Sequence, residues 1–250
     1  MRFLALTPLF LLLFSCSNKV DSIESASEIN SFDDISIDYA VNFDLIPTDD
    51  GYNLLILSPE NGEIEQSHFI KTLTKPKLIS LTSTFNGMLC AINSQNYLSG
   101  VSSEKYVYDS LILQKIASKE IQVFGDESNH SLEKIIANQS NIVFYNGFGD
   151  GFPNEEKLNQ LGVSTIPIYD WRENHPLGKA EWIKLAGVIT GKIDEANKLF
   201  QSIVLEYNRL QTIVDSVSSN PTVTAGSFYG DVWYASGGES YFATLLKDAG

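Results

Sequence analysis

The longest uninterrupted helical pattern in the sequence covers residues 193–217 and contains neither glycine nor proline. Its apolar residues recur every three or four positions, which is the spacing of one face of an α-helix. A coiled-coil segment would show the same spacing, but strand and helix patterns alternate on both sides of this one. The pattern therefore predicts a rigid helix that joins two lobes.

The residues before this helix alternate short apolar runs with amphipathic stretches from Lys75 onwards. This alternation is typical of βα units and a mainly parallel sheet. The predicted fold class is therefore α/β, with two Rossmann-like lobes joined by one long rigid helix. Before Lys75, turn signals at Gly51 and Gly62 frame strand candidates at residues 52–57 and 67–72, which predict an N-terminal β-hairpin extension.

The first sixteen residues have the pattern of an exported lipoprotein. Arg2 precedes about a dozen mostly apolar residues, too few for a membrane-spanning helix of about 20 residues but typical of a signal peptide. The sequence that ends at Cys16 resembles a bacterial lipobox, in which the cysteine is acylated and anchors the mature chain to the membrane. The alternative is an ordinary signal peptide with an incidental cysteine.

These patterns divide the chain into six segments. We predict a lipoprotein signal peptide at residues 1–15, a flexible tether at 16–36, the hairpin extension at 37–74, an N-terminal α/β lobe at 75–190, the connecting helix at 191–218 and the start of a C-terminal α/β lobe at 219–250. The last segment holds patterns for one strand and one helix, so we expect the second lobe to be truncated.

Composition and the absence of catalytic motifs favour a binding protein. The sequence has 17 basic and 31 acidic residues, a net charge of −14, which argues against nucleic acid as a partner. Its two cysteines, Cys16 and Cys90, form no zinc or disulfide pattern, and Cys90 lies in an apolar run typical of a buried structural thiol. Neither a nucleophile elbow nor a glycine-rich phosphate loop is present, so we predict no enzyme activity and no cofactor.

Five stretches, taken in order, carry a resemblance to a known family. They are residues 76–84 (PKLISLTST), 98–102 (LSGVS), 131–137 (SLEKIIA), 176–184 (PLGKAEWIK) and 233–241 (WYASGGESY). Residues 75–250 resemble the periplasmic substrate-binding proteins of ABC importers that capture iron-siderophores, haem and vitamin B12. The sequence departs from that family at residues 138–141, where many relatives have Lys-Pro-Asp before a strand.

The resemblance implies a ligand cleft between the lobes, lined by loops at the carboxyl ends of strands. Aromatic faces there suit a bulky chelate or tetrapyrrole, although some of the aromatic residues belong to the core in the alternative interpretation. Arg172 either binds a carboxylate or phosphate of the ligand or forms a salt bridge with Asp170 or Glu173. The ligand-binding candidates are Thr82, Ser83, Thr84, Tyr106, Phe148, Trp171, Arg172, Tyr229 and Trp233.

The three histidines do not predict a site for a bare metal ion, which needs about three histidines and a carboxylate at one point. His68 lies in the hairpin extension, which we expect outside the lobes. His130 or His175 is a candidate axial ligand to haem iron or cobalt, but a surface or capping role is the favoured interpretation.

The resemblance also implies one exposed glutamate on each lobe that pairs with arginines of a membrane permease. The matching residues are Glu155 or Glu156 and Glu239. Acidic residues that only interact with a helix dipole are the alternative.

We therefore predict a solute-binding protein, lipid-anchored at Cys16 on the periplasmic side of a bacterial membrane. It captures an iron-siderophore, haem or cobalamin-type ligand and delivers it to an ABC permease and its ATPase. The alternative is a surface or periplasmic chelate-binding lipoprotein that is not coupled to a permease.

Overall fold

Two larger β-sheets, a short β-hairpin and the helices around them make up the described part of the chain. The computed structural model describes residues 35–71, 73, 75–125, 131–149, 151–218 and 221–250. The predicted signal peptide, most of the tether, the lipidation site Cys16 and His130 lie outside the described residues. Within those ranges, no helix is both long and apolar enough to cross a membrane.

The N-terminal sheet has three antiparallel strands rather than the two of the predicted hairpin. They are β1 (Phe43–Thr48), β2 (Gly51–Leu57) and β3 (Ile64–Lys71), with β2 in the centre. The prediction missed β1, although Phe43 and Leu45 alternate as buried residues along it. Gly51 is required where β2 begins, because a Cβ there would lie 2.1 Å from the backbone oxygen of Ile70.

The second sheet has five parallel strands in the order β6-β5-β4-β7-β8. They are β4 (Leu78–Ser80), β5 (Leu98–Val101), β6 (Gln122–Val123), β7 (Ile142–Asn146) and β8 (Ser164–Ile168). Every residue of β4 and β5 is buried, as expected for a parallel sheet that is covered on both faces.

Helices follow the strands of the parallel sheet, and side-chain caps set where several of them begin. They are α1 (Ser83–Ala91), α2 (Ser110–Ala117), α3 (Leu132–Asn138) and α4 (Glu155–Gln160). The side chains of Thr82, Asp109 and Ser131 accept hydrogen bonds from the first turns of α1, α2 and α3. Such caps satisfy backbone donors that have no partner within the helix.

Three helices follow β8, namely α5 (Pro176–Glu181), α6 (Ile183–Thr190) and α7 (Ile193–Asp215). The sequence pattern over residues 180–190 predicts a single helix, but the structure has two helices that meet at Trp182. The predicted long helix is α7, which ends at Asp215. Gly191 separates α6 from α7 with a φ of 69°, a left-handed conformation that favours glycine.

The two sheets share one hydrophobic core. Phe43 and Ile56 of the N-terminal sheet belong to the same buried cluster as Phe144 and Ile166 of the parallel sheet. The ring of Phe43 lies 4.3 Å from that of Trp182, centroid to centroid. The N-terminal sheet is therefore packed onto the lobe, which corrects the expectation that it lies outside.

Residues 36–42, which we call the N-terminal strap, are held by two buried carboxylates, one on α5 and one in the turn that precedes it. Glu181 accepts backbone hydrogen bonds from Asp38, Tyr39 and Ala40 at 2.7–3.0 Å. Glu173 accepts two more at 3.1 Å, from the next two residues of the strap. Gly178 allows this close approach, since a Cβ there would lie 2.8 Å from the backbone oxygen of Tyr39.

A short hairpin and one helix follow α7. The hairpin is formed by β9 (Ser227–Tyr229) and β10 (Val232–Tyr234), and the helix is α8 (Tyr241–Asp248). The sequence pattern predicts a single strand at residues 222–227, but the structure places two strands later, at residues 227–229 and 232–234. All six strand residues of the hairpin are exposed, so its side chains are not held by a core.

Candidate functional site

The parallel sheet has a topological switch point between β4 and β7. The chain leaves β4 towards β5 and leaves β7 in the opposite direction, towards β8. Loops at the carboxyl ends of these strands therefore diverge and leave a crevice, the usual place for a ligand in open α/β sheets. Residues 81–84 form one side of the crevice and residues 146–148 the other.

The threonine and serine candidates at this crevice have different environments. Thr82 is 1% exposed, and its hydroxyl accepts a hydrogen bond from the backbone N–H of Phe85 at 3.2 Å. Its role in the structure is therefore that of a helix cap. Ser83 and Thr84 are exposed in the first turn of α1, where they are accessible to a ligand.

Phe148, Tyr169 and Trp171 form an aromatic cluster at the carboxyl ends of β7 and β8. The rings of Phe148 and Trp171 are stacked, with centroids 4.6 Å apart and an interplanar angle of 27°. Tyr169 is buried beside them, and its ring leaves no room for a side chain at Gly147, where a Cβ would lie 2.0 Å away. Phe148 is 60% and Trp171 42% exposed, so a supported aromatic surface faces solvent.

Arg172 lies directly beside this cluster. The carbon of its guanidinium is 3.8 Å from the centroid of the Tyr169 ring. Its Nη1 donates to Oε2 of Glu65 on β3 at 2.8 Å. The predicted alternatives, a salt bridge with Asp170 or Glu173, are thus replaced by a pair with a residue of the N-terminal sheet.

Asp170 is a buried carboxylate between the aromatic cluster and α5. It is 2% exposed, and its Oδ2 has no hydrogen-bond partner among the described residues. Burial raises the pKa of this carboxyl, while a hydrogen bond from Thr84 and the charge of Lys179 act in the opposite direction.

The other aromatic candidates contact residues outside the cluster. Tyr106 ends a short 3-10 helix and is 48% exposed, with Lys105 Nζ at 5.5 Å from its ring centroid. Tyr229 and Trp233 lie on the hairpin, where Trp233 contacts Phe228 at 6.0 Å between centroids. The structure therefore brings together Phe148, Trp171 and Arg172.

His175 and His68 are both engaged in local structure. His175 Nδ1 accepts a hydrogen bond from the backbone N–H of Leu177 at 3.1 Å, so it caps α5. His68 Nε2 lies 3.1 Å from Oε1 of Gln66, and burial lowers its pKa against the opposing charge of Glu155. Within the described ranges, no group of three or more His, Cys, Asp or Glu residues is arranged to hold a metal ion.

Cys90 has the environment expected of a structural thiol. It is half-buried on α1 and is a free cysteine. Burial, followed by the negative charge of Asp109, raises the pKa of its thiol to about 11. A thiol with this pKa stays protonated at neutral pH and is a poor nucleophile.

The docking candidates also differ in their surroundings. Oε1 of Glu155 accepts a hydrogen bond from the hydroxyl of Thr165 at 2.9 Å, so this side chain is tied to β8. Glu156, beside it in the first turn of α4, is exposed. Glu239 is exposed in the turn that precedes α8.

Comparison with known families agrees with this architecture. The sequence profile of the family described as periplasmic binding protein matches residues 97–250. This chain belongs to the periplasmic binding protein family. The matched region begins just before β5 and includes the aromatic cluster, α7 and the hairpin, so it contains most of the site described above.

Two curated relatives of this periplasmic binding protein are named uncharacterized lipoproteins of Methanocaldococcus jannaschii. One is 26% identical over 91% of this chain, and the other is 24% identical over 84% of it. The alignments cover 63% and 58% of the relatives' own sequences, so the chain spans less than two thirds of their length.

Solved structures show the same fold at low sequence identity. A possible iron-binding (periplasmic solute-binding) protein from Staphylococcus epidermidis is 15% identical, with a TM-score of 0.57 over 71% of this chain and 66% of its own. An ABC transporter substrate-binding protein from Listeria monocytogenes is 16% identical, with a TM-score of 0.53 over 70% of this chain and 63% of its own. The predicted α/β periplasmic binding protein fold with a long helix is confirmed.

Sequence reasoning missed four charged residues that organise this binding protein. Glu173, Glu181 and Lys184 hold the N-terminal strap, and Glu65 pairs with Arg172. The sequence did contain one indication of the buried pair. Glu181 and Lys184 flank Trp182 and Ile183 in an otherwise apolar helical stretch. An acid and a base three residues apart among buried apolar residues indicate a paired, buried charge.

Proposed function

We propose that this chain is the lipid-anchored solute-binding component of an ABC importer. It captures an iron-siderophore, haem or cobalamin-type ligand on the periplasmic side of the membrane and delivers it to the permease. Membership of the periplasmic binding protein family supports solute binding. The similarity to the possible iron-binding protein of S. epidermidis supports the iron-chelate class.

The observation that carries this proposal is the exposed stack of Phe148 on Trp171. Both rings lie at the carboxyl end of the parallel sheet. The buried ring of Tyr169 lies 6.3 Å from that of Trp171, centroid to centroid. A flat ligand that covers these two rings removes apolar surface from water without ordering flexible side chains. Contacts between aromatic groups add about 0.5–1.5 kcal/mol each beyond the burial of area.

Anchoring and permease docking rest on residues outside this cluster. Acylation of Cys16 would attach the chain to the membrane, and the lipoprotein names of the two curated relatives support this assignment. Glu156 and Glu239 are the exposed candidates for pairing with permease arginines. Because Glu155 is bonded to Thr165, we assign docking at α4 to Glu156.

Titration of tryptophan fluorescence tests ligand capture. Trp171 is exposed in the cluster and Trp233 is exposed on the hairpin, whereas Trp182 is fully buried in the core. The titration therefore uses a Trp233→Phe background, in which ligand contact mainly quenches Trp171. The probes are a neutral ferric trihydroxamate, haem and cyanocobalamin. We expect saturable quenching by one of them at micromolar concentration, and about tenfold weaker binding in Phe148→Ala, since buried aromatic anchors dominate interface energies.

Phe69→Ala is the matched control. Phe69 is also an exposed aromatic residue, but it lines a cavity with Asn141 and Ser164, at the opposite ends of β7 and β8. Its removal should leave the affinity unchanged. If none of the probes binds to the folded protein, capture of a metal chelate or tetrapyrrole is the wrong function.

A further inference from the structure

A cavity of about 580 Å³ lies between the N-terminal sheet and the aromatic cluster. Trp171 and Arg172 line it from the end of β8, and Glu65 lines it from β3. Pro59 and Glu60, in the turn between β2 and β3, close another side. The N-terminal sheet therefore supplies one wall of the space beside Trp171, where a ligand on the stacked rings would extend.

Two neighbouring residues of β3 reach the cluster. Oε2 of Glu65 lies 2.8 Å from Nη1 of Arg172, and Nε2 of Gln66 donates to the hydroxyl of Tyr169 at 3.2 Å. The side chain of Glu65 is 35% exposed and that of Arg172 22%. The pair is thus accessible from the cavity and is not sealed into the core.

This arrangement determines the charge that a ligand meets. The guanidinium of Arg172 lies over the ring of Tyr169 and is paired with Glu65, and the exposed Glu60 adds a second carboxylate to the lining. An anionic group that enters the cavity must compete with Glu65 for Arg172 and is repelled by Glu60. A neutral or cationic group meets no such cost.

We propose that Glu65 is a specificity-determining residue that makes the site select neutral or cationic chelates over anionic ones. The inference rests on the proposed function and names its substrate class. Glu65 acts through its ion pair with Arg172, so its effect on ligand selection depends on that arginine. Without Glu65, the guanidinium becomes a free donor for ligand carboxylates.

The test is a comparison of two probes on the wild-type chain and three variants. The probes are a neutral ferric trihydroxamate and the negatively charged ferric citrate complex. We expect the wild-type chain to prefer the neutral chelate. Glu65→Gln should raise the affinity for ferric citrate about two- to fivefold, the range for gaining one partly exposed charge contact. The affinity for the neutral chelate should change less than about twofold.

The double variant Glu65→Gln/Arg172→Gln identifies the cause of that gain. If Glu65 acts through Arg172, the gain for ferric citrate disappears in the double variant, as a double-mutant cycle requires for coupled residues. Glu63→Gln is the matched control, because Glu63 is exposed, lies two residues before Glu65 and is not part of the lining of the cavity. It makes the same change of net charge and should behave as the wild type.

Several outcomes would overturn the proposal. An unchanged affinity of Glu65→Gln for ferric citrate shows that Glu65 does not control selection. A gain that persists without Arg172, or that Glu63→Gln reproduces, shows a general charge effect. Binding of neither chelate by the folded wild-type chain rejects the proposed function, and this inference with it. Binding of the neutral chelate with no change in selectivity rejects the inference alone.

Discussion

One carboxylate–cation pair lies at the N-terminal strap and another at the aromatic cluster, and their N···O distances are nearly the same. Glu181 and Lys184 are 2.6 Å apart, and Glu65 and Arg172 are 2.8 Å apart. Their surroundings differ, because the side chains of the first pair are 0% and 3% exposed and those of the second 35% and 22%. Distance alone would not distinguish a pair that stabilises the fold from one that faces a ligand.

The buried pair is part of a nearly complete hydrogen-bond network. Glu181 accepts three backbone N–H groups of the strap, and Lys184 also donates to the backbone oxygen of Ser36 at 2.7 Å. The exposed pair has one direct bond and is open to water. A buried charge cannot exchange its partner without a large desolvation cost, whereas an exposed one can. Burial therefore separates the structural pair from the pair that we propose meets the ligand.

Glu181→Ala should have the largest effect on stability. It leaves the ammonium of Lys184 and three backbone donors of the strap without their acceptor in a buried site. We expect the free energy of unfolding to fall by about 3–5 kcal/mol, the range for breaking a buried ion pair. Urea unfolding measures it, and Glu206→Ala, which removes an exposed pair on α7, is the control and should change little. Equal effects in both variants would contradict the comparison.

Glu173→Gln should cost less, about 1–3 kcal/mol, because it removes one acceptor but keeps the shape of the side chain. Glu173 accepts from the backbone of Val41 and Asn42 and from Nε1 of Trp182. An amide has one oxygen for these three donors. Amide hydrogen exchange should become faster at Val41 and Asn42 first. Unchanged exchange there would show that Glu173 does not hold the strap.

The parallel sheet and its helices were predictable because local signals agree. The apolar run at residues 98–101 predicts a strand and forms β5, and Ser131, which the sequence pattern predicts as a helix cap, caps α3. β1 was missed because Pro47, near its end, is typical of a turn and interrupts the strand pattern. The hairpin after α7 was misplaced, since its strands are exposed and carry no buried alternation.

The site was predictable only where it follows from position along a strand. Phe148, Trp171 and Arg172 were candidates because they directly follow β7 and β8. Glu65 was not, because 107 residues separate it from Arg172 and no spacing rule connects them. The two alternatives offered for Arg172 were its sequence neighbours, whereas packing of the N-terminal sheet on the lobe decides the actual partner.

Asp170→Asn extends the comparison of buried and exposed carboxylates to a third one. Asp170 is buried, but one of its two oxygens has no hydrogen-bond partner among the described residues. Since burial raises its pKa in the folded state, the folded protein holds this proton more tightly than the unfolded chain does. Stability from this group is present at low pH and is lost as pH rises through the folded pKa. The variant should therefore have a higher free energy of unfolding than the wild type at pH 7. This gain should be smaller than the losses expected for Glu181→Ala and Glu173→Gln, and it should vanish at low pH. A loss of stability at pH 7 would mean that an unseen partner satisfies Asp170.

Glu65→Gln should have the smallest effect on stability, about 0–1 kcal/mol, because the pair with Arg172 is partly exposed. Salt should weaken that effect further, whereas the loss in Glu181→Ala should persist at 1 M salt, where charges more than about 3 Å apart in water are screened. Urea unfolding at low and high salt measures both. If Glu65→Gln destabilised the chain as much as Glu181→Ala, Arg172 would be held too strongly to exchange partners. Glu65 would then stabilise the packing of the N-terminal sheet, and its control of ligand charge would have to be abandoned.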